Sequence, residues 1–224
     1  MVRCSHFLLA LCATSIAVFL AVSPRSALGQ ESGSDSSSKS HKSAGPPKST
    51  SPDLGSLSDG IYRNPYFGFQ MKLPYGWVDR SDEMRKDDDP PRSMLLLGAF
   101  ERPPEATGDT VNSAVVITVE KTSQFSGLKT AADYFGPITE LATARDFKAV
   151  NPPYDFAVGS KPLVRGDFSK QRGSLTMVQS SVVMLDKGYA VSFTFIAGSQ
   201  EEADGLIGGL QFGVPAKKPA TSSH

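Results

Sequence analysis

Two apolar-rich runs, Ser174 to Leu185 and Tyr189 to Ala197, stand only Asp186-Lys187-Gly188 apart, and they constrain the fold more than any other feature of the chain. In the second run Tyr189, Val191, Phe193 and Phe195 recur at every second position, so an extended backbone brings all four to one face. That face is the heaviest apolar stripe in the sequence and requires a second layer to bury it. Gly188 supplies the left-handed residue of a three-residue loop, which predicts a central antiparallel hairpin. Phe69, Met71 and Leu73 alternate with Gln70 and Lys72, and Val115, Ile117 and Val119 alternate with Val116, Thr118 and Glu120; Met94 to Phe100 and Leu163 to Lys170 read as further strands.

Two helices are expected between and after these strands. Thr130-Ala131-Ala132-Asp133 opens the first like a capping box, and Tyr134, Phe135, Ile138, Leu141 and Ala142 form its apolar face, with Pro137 predicted to kink or split it. Ser199 and Glu202 begin the second, whose buried stripe is Ala203, Leu206, Ile207 and Leu210. Gly205 and Gly209 are expected to let this helix pack closely on the sheet. The order of elements gives an α+β class built on an antiparallel sheet flanked by helices.

Residues 1 to 29 read as a secretory signal. Arg3 supplies the positive start, Phe7 to Val22 a mostly apolar run of 16 residues, Pro24 a helix breaker, and Ala27-Leu28-Gly29 the small residues at a cleavage site that leaves Gln30 first. A run of 16 falls short of the roughly 20 residues needed to span a bilayer core, so cleavage is favoured over a retained anchor. Gln30 to Asp59 holds 11 serines, the pair Pro46-Pro47 and few apolar residues, and is expected to be a disordered linker. Pro215 to His224 is a second tail of the same kind, which leaves one globular domain over residues 60 to 214. The expected location is secreted or periplasmic, with no stable membrane span after cleavage.

The expected domain contains no cysteine and no histidine; Cys4, Cys12, His6, His41 and His224 all lie outside it. This removes the Ser/His/Asp triad, the Cys/His pair, the common zinc sites and an imidazole base, and no cofactor is expected. Without disulfides the core must suffice, and about 155 residues bury roughly 70% of the unfolded surface. Removing Arg3 and Arg25 leaves 21 basic against 23 acidic residues, a balance that does not point to nucleic acid.

The stretch Tyr62-Arg63-Asn64-Pro65-Tyr66-Phe67-Gly68-Phe69, continued by Leu73-Pro74-Tyr75-Gly76-Trp77, resembles the opening of PsbP-like domains. Gly166-Asp167-Phe168, Lys187-Gly188-Tyr189 and Ala197-Gly198-Ser199-Gln200-Glu201-Glu202-Ala203 follow in the order seen in PsbP-like and DcrB-like proteins. The resemblance spans roughly Gly60 to Phe212 and implies an α/β/α sandwich; it says far more about fold than about function.

Trp77 is expected to close the sheet edge by packing inward; the other reading makes Tyr66, Tyr75 and Trp77 an exposed aromatic patch for a partner. Three constellations bear on catalysis or metal binding. Ser126-Gly127-Leu128-Lys129 has the Ser-x-x-Lys spacing that lets a lysine activate a serine, but lacks the companion motifs of that chemistry. Glu101 and Glu105 form a carboxylate pair of the kind used for glycoside cleavage, on what reads as an exposed connection. The acidic run Asp82, Glu83, Asp87, Asp88 and Asp89 is broken by Arg85 and Lys86 and reads as a solvated loop. The expectation is therefore an exported, non-catalytic module that binds a protein or cell-envelope component; the alternative is a small secreted hydrolase using Ser126 with Lys129 or the carboxylate pair.

Overall fold

The computed structural model describes residues 52–86 and 93–213. The expected signal, most of the expected linker, the later part of the acidic run and the C-terminal tail lie outside the described residues. In chain order the elements are β1 (Ser56–Ser58), β2 (Ile61–Asn64), β3 (Phe69–Lys72), β4 (Val78–Asp79), α1 (Ser81–Lys86), β5 (Met94–Phe100), β6 (Ala114–Lys121), α2 (Phe135–Thr143), β7 (Lys148–Ala149), β8 (Tyr154–Val158), β9 (Lys161–Arg172), β10 (Leu175–Asp186), β11 (Tyr189–Ala197), α3 (Gln200–Ile207) and β12 (Leu210–Phe212). The class is α+β with antiparallel sheets, as the sequence implies. A four-stranded sheet has the order β1-β2-β3-β12, and an eight-stranded one the order β4-β5-β6-β11-β10-β9-β7, with β8 also paired to β9.

The stripe on β11 organises the core. Val191, Phe193 and Phe195 are fully buried and pack with Ile117 and Val119 of β6, Val182 and Met184 of β10, and Tyr62, Phe69 and Met71 of the small sheet. Phe69 and Phe193 meet edge to face at 4.9 Å between ring centres. The layer over this face is thus a second sheet, with Leu206 and Ile207 of α3 completing it. On the opposite face α2 sets Phe135, Ile138 and Ala142 over Phe168, Val183 and Ala190. Its Phe135 lies against Gly166, where a Cβ would stand 2.6 Å from the ring, so glycine is needed for this approach. β5 carries a register shift between Leu95 and Leu97, and Arg85 of α1 donates to the Leu95 and Leu96 carbonyls at 2.8 Å each, satisfying groups the bulge frees.

Several local expectations change. The linker was expected to run to Asp59, yet Ser56–Ser58 is a strand paired to Ile61–Arg63 through a two-residue turn. Asp59 and Gly60 there have φ of 55° and 70°, the left-handed pair that a tight hairpin needs. Buried Asn64 fixes the segment by donating to the Asp53 carbonyl at 2.9 Å, and the Tyr62 hydroxyl donates to the Leu54 carbonyl at 2.6 Å. The central hairpin has a two-residue loop rather than three, because Asp186 pairs directly with Tyr189 and Lys187 as well as Gly188 has positive φ. Thr130 and Asp133 do form a reciprocal cap, but around a turn ahead of α2, and Pro137 falls in the helix's first turn, where its missing N–H costs nothing. Leu141, expected to be buried, is 45% exposed. Leu210 belongs to β12 rather than to α3, and Gly205 has open space around it; Gly209, beyond the helix, makes the close approach instead, against the Lys72 carbonyl.

Candidate functional site

Alternate residues of a strand share a face, and on the core side of β9 that alternation delivers Arg165 and Asp167, two charges where the period calls for apolar residues. Their side chains are 7% and 5% exposed. Arg165 Nε donates to Asp167 Oδ1 at 2.9 Å. Register places Ser180 of β10 opposite Asp167, and its hydroxyl donates to the same oxygen at 2.6 Å. β8 places Tyr154 opposite Arg165, and the tyrosine hydroxyl donates to Asp167 Oδ2 at 2.9 Å. From α3, Asp204 accepts from Arg165 Nη2 at 2.6 Å, and Gln200, one helical turn earlier, donates to that carboxylate at 3.2 Å. The Arg165 guanidinium lies over the Phe156 ring at 5.3 Å.

Burial alone would raise the Asp167 carboxyl, but hydrogen bonds from Ser180, Arg165 and Tyr154 outweigh it and hold the group below the usual carboxylate range. Burial likewise works to discharge Arg165, and the carboxylates of Asp204 and Asp167 more than reverse it. Tyr154 is pushed up to about 12 by burial and by its bond to Asp167. The charges are therefore fixed: a carboxylate satisfied by three donors is a poor proton acceptor, and a tyrosine at about 12 a poor proton donor near neutral pH. Beside this cluster opens a cleft of about 710 Å³ between β8, α3 and β12, walled by Phe156, Val158, Ile207 and Phe212, with Arg165 and Asp204 at its polar side. The cleft is open to solvent and offers an apolar wall with one charged edge.

Of the three aromatics singled out in the sequence, Tyr75 is fully exposed at a turn, while Tyr66 and Trp77 are half-buried against the main core. Tyr66 packs edge-on to Tyr189 and lies under Lys187 Nζ at 4.9 Å. Val78, next to Trp77, pairs with Phe100, Phe100 pairs with Ala114, and Ala114 pairs with Ile196, at the other end of β11 from Tyr189. The fold thus separates Tyr66 from Trp77 by the length of the sheet. Ser126 and Lys129 are exposed on the connection before α2, away from the cleft. Glu101 and Glu105 are also exposed and are engaged by Arg102 at 3.5 Å and Arg80 at 3.3 Å respectively. The first part of the acidic run, expected as loop, is helix α1, with Asp82 paired to Arg85 at 2.7 Å. Among the described residues no three His, Cys, Asp or Glu side chains are grouped to hold a metal ion, and no helix is long and apolar enough to cross a membrane.

The Arg165 cluster was not among the sequence candidates. The signal for it was present: Leu163, Arg165 and Asp167 share one parity, so a charged pair sits on a strand's buried face.

No family model matches the chain, and no curated protein matches it. Among solved structures it is similar to a crystal structure from Bacteroides thetaiotaomicron VPI-5482, with 14% identity over 65% of this chain and TM-score 0.36; the chain spans 45% of that protein's length. LpqN of Mycobacterium tuberculosis, a protein involved in cell envelope biogenesis, is similar at 14% identity, over 64% of this chain and 82% of LpqN, with TM-score 0.38. Cyanobacterial PsbP (CyanoP) from Synechocystis sp. PCC 6803 is similar at 11% identity, over 71% of this chain and 99% of that one, with TM-score 0.43. A PsbP protein is thus among the solved structures that this chain, read as PsbP-like over roughly Gly60 to Phe212, is similar to, and at these identities and TM-scores the likeness carries no argument about activity or partner.

Proposed function

We propose that this chain is an exported, non-catalytic binding or assembly module that engages a protein or cell-envelope partner outside the cytoplasm, and that the cleft beside Arg165 receives that partner. The observation that carries this reading is the pairing of an open, apolar-walled cleft with the buried Arg165–Asp167 ion pair, whose charged forms are favoured by their own hydrogen bonds. Such a wall orients a ligand against one charged edge. Export rests on the signal-like residues 1 to 29, with Gln30 as the first residue of the mature protein.

A photo-crosslinking amino acid placed at Val158 or Phe212 tests the site, with the same group at Lys129 and Tyr75 as comparisons. In the native envelope the cleft positions should give a discrete adduct that Lys129 does not. An adduct from Tyr75 alone would assign binding to the exposed aromatic turn instead, and equal labelling from all four positions would sink the reading. Intact-mass measurement of the secreted protein tests export: a mass that retains residues 1 to 29 overturns cleavage at Gly29.

A further inference from the structure

β8 lies at the margin of the large sheet, paired to β9 alone among the described strands. Val158 faces Lys161 across a two-residue turn, and Ala157 faces Pro162. A two-residue hairpin closes on a hydrogen-bonded pair, and Pro162 has no N–H to give. The alternation of an antiparallel ladder then makes Val158, Phe156 and Tyr154 the hydrogen-bonded partners of β9, and leaves Asp155 and Ala157 with N–H and C=O turned outward. Among the described residues no strand pairs with that outer edge. Natural edges of this length are usually covered or strongly charged. Here the flanking Val150 is 59% exposed and Tyr154 39%.

Phe156 and Val158 point from this strand into the cleft, so every second side chain of a strand added beside β8 faces the same space. Lys161, across the turn from Val158, lies over the Phe212 ring at 5.9 Å, so with Arg165 it balances Asp167 and Asp204 around the cleft, and what the cleft offers an added strand is its apolar wall. We infer that an extended segment of the protein partner adds to β8 as a further antiparallel strand, seating alternate large apolar side chains in the cleft. This deepens, and rests on, the binding reading of the cleft.

The probe is a displayed library of linear dodecapeptides panned on the full chain, with the recovered peptides measured by fluorescence anisotropy. Enriched peptides should alternate apolar residues with polar ones. Ala157→Pro removes an outward donor without touching the β8–β9 ladder, and should weaken binding about tenfold; Ala157→Val should stay within about threefold. As a check independent of the protein's folding, N-methylation of alternate peptide residues should abolish binding at one parity and be tolerated at the other. No enrichment, or equal tolerance of both parities, overturns strand addition. If Phe212→Asp abolishes peptide binding while Ala157→Pro does not, the cleft reading stands and strand addition fails; if neither variant matters, both fail. Concentration-dependent dimerisation of the chain, lost in Ala157→Pro, would give the edge to a second copy and overturn the partner assignment.

Discussion

Asp167 gains more from the folded structure than any other carboxylate in the cluster, because three donors converge on it from β8, β9 and β10. Its proton affinity is lower folded than unfolded, so the stability it contributes is complete above the ordinary carboxyl range and is lost as pH falls below about 4. Urea melts at pH 7 and pH 3 should show this loss in the wild type. Asp167→Asn should cost about 3 kcal/mol at pH 7, since Arg165 then keeps only part of its compensation, and should have a shallower acid slope. Identical acid slopes in the two proteins would contradict the assignment. Trp77 gives a second test at this scale. It is half-buried against the main core, so Trp77→Ala should remove about 2 kcal/mol, less than the 3–5 typical of a fully buried tryptophan. A melt unchanged by the substitution would return Trp77 to the aromatic-patch reading.

Among the elements, β1 shows how a serine-rich segment becomes structure. Its three residues carry little β propensity, and Leu57 is its one apolar contact with the core. The strand is held by pairing with β2 and by the bonds that Tyr62 and Asn64 send to the Leu54 and Asp53 carbonyls. A chain shortened to residue 60 loses all of these and should be destabilised by about 3 kcal/mol, whereas one shortened to residue 53 should melt like the full chain. Limited proteolysis offers a parallel readout: the resistant fragment should begin near Asp53, and a fragment that begins at Gly60 would show that β1 adds nothing.

For the molecule as a whole, the described residues place stability in the two-sheet core with α2 on its far side. The only cysteines are Cys4 and Cys12, ahead of the described residues, and no cluster of metal ligands is found among those residues. Differential scanning calorimetry should therefore find a midpoint that moves by less than about one degree with reductant or with chelator. A rise with added calcium would point to ligands outside the described residues, the later part of the acidic run first among them.

The sequence alone determined the central strands, because alternation is a local property that survives in any context where one face is buried. Tyr189 through Phe195 and Val115 through Val119 had no other economical arrangement. It also carried the Asp-Gly signal at residues 59 and 60, a tight-turn pair hidden by the low complexity of the segment before it. Tertiary structure decided what alternation could not express. Arg165 and Asp167 announce an anomaly on a buried face, but whether that anomaly is a defect or a site depends on Ser180, 13 residues from Asp167, and Asp204, 39 residues from Arg165. Those groups meet only because β10 sets its register against β9 and α3 crosses the same face. The outer edge of β8, which no described strand pairs with, is likewise invisible in its five residues, since pairing is settled by the whole sheet.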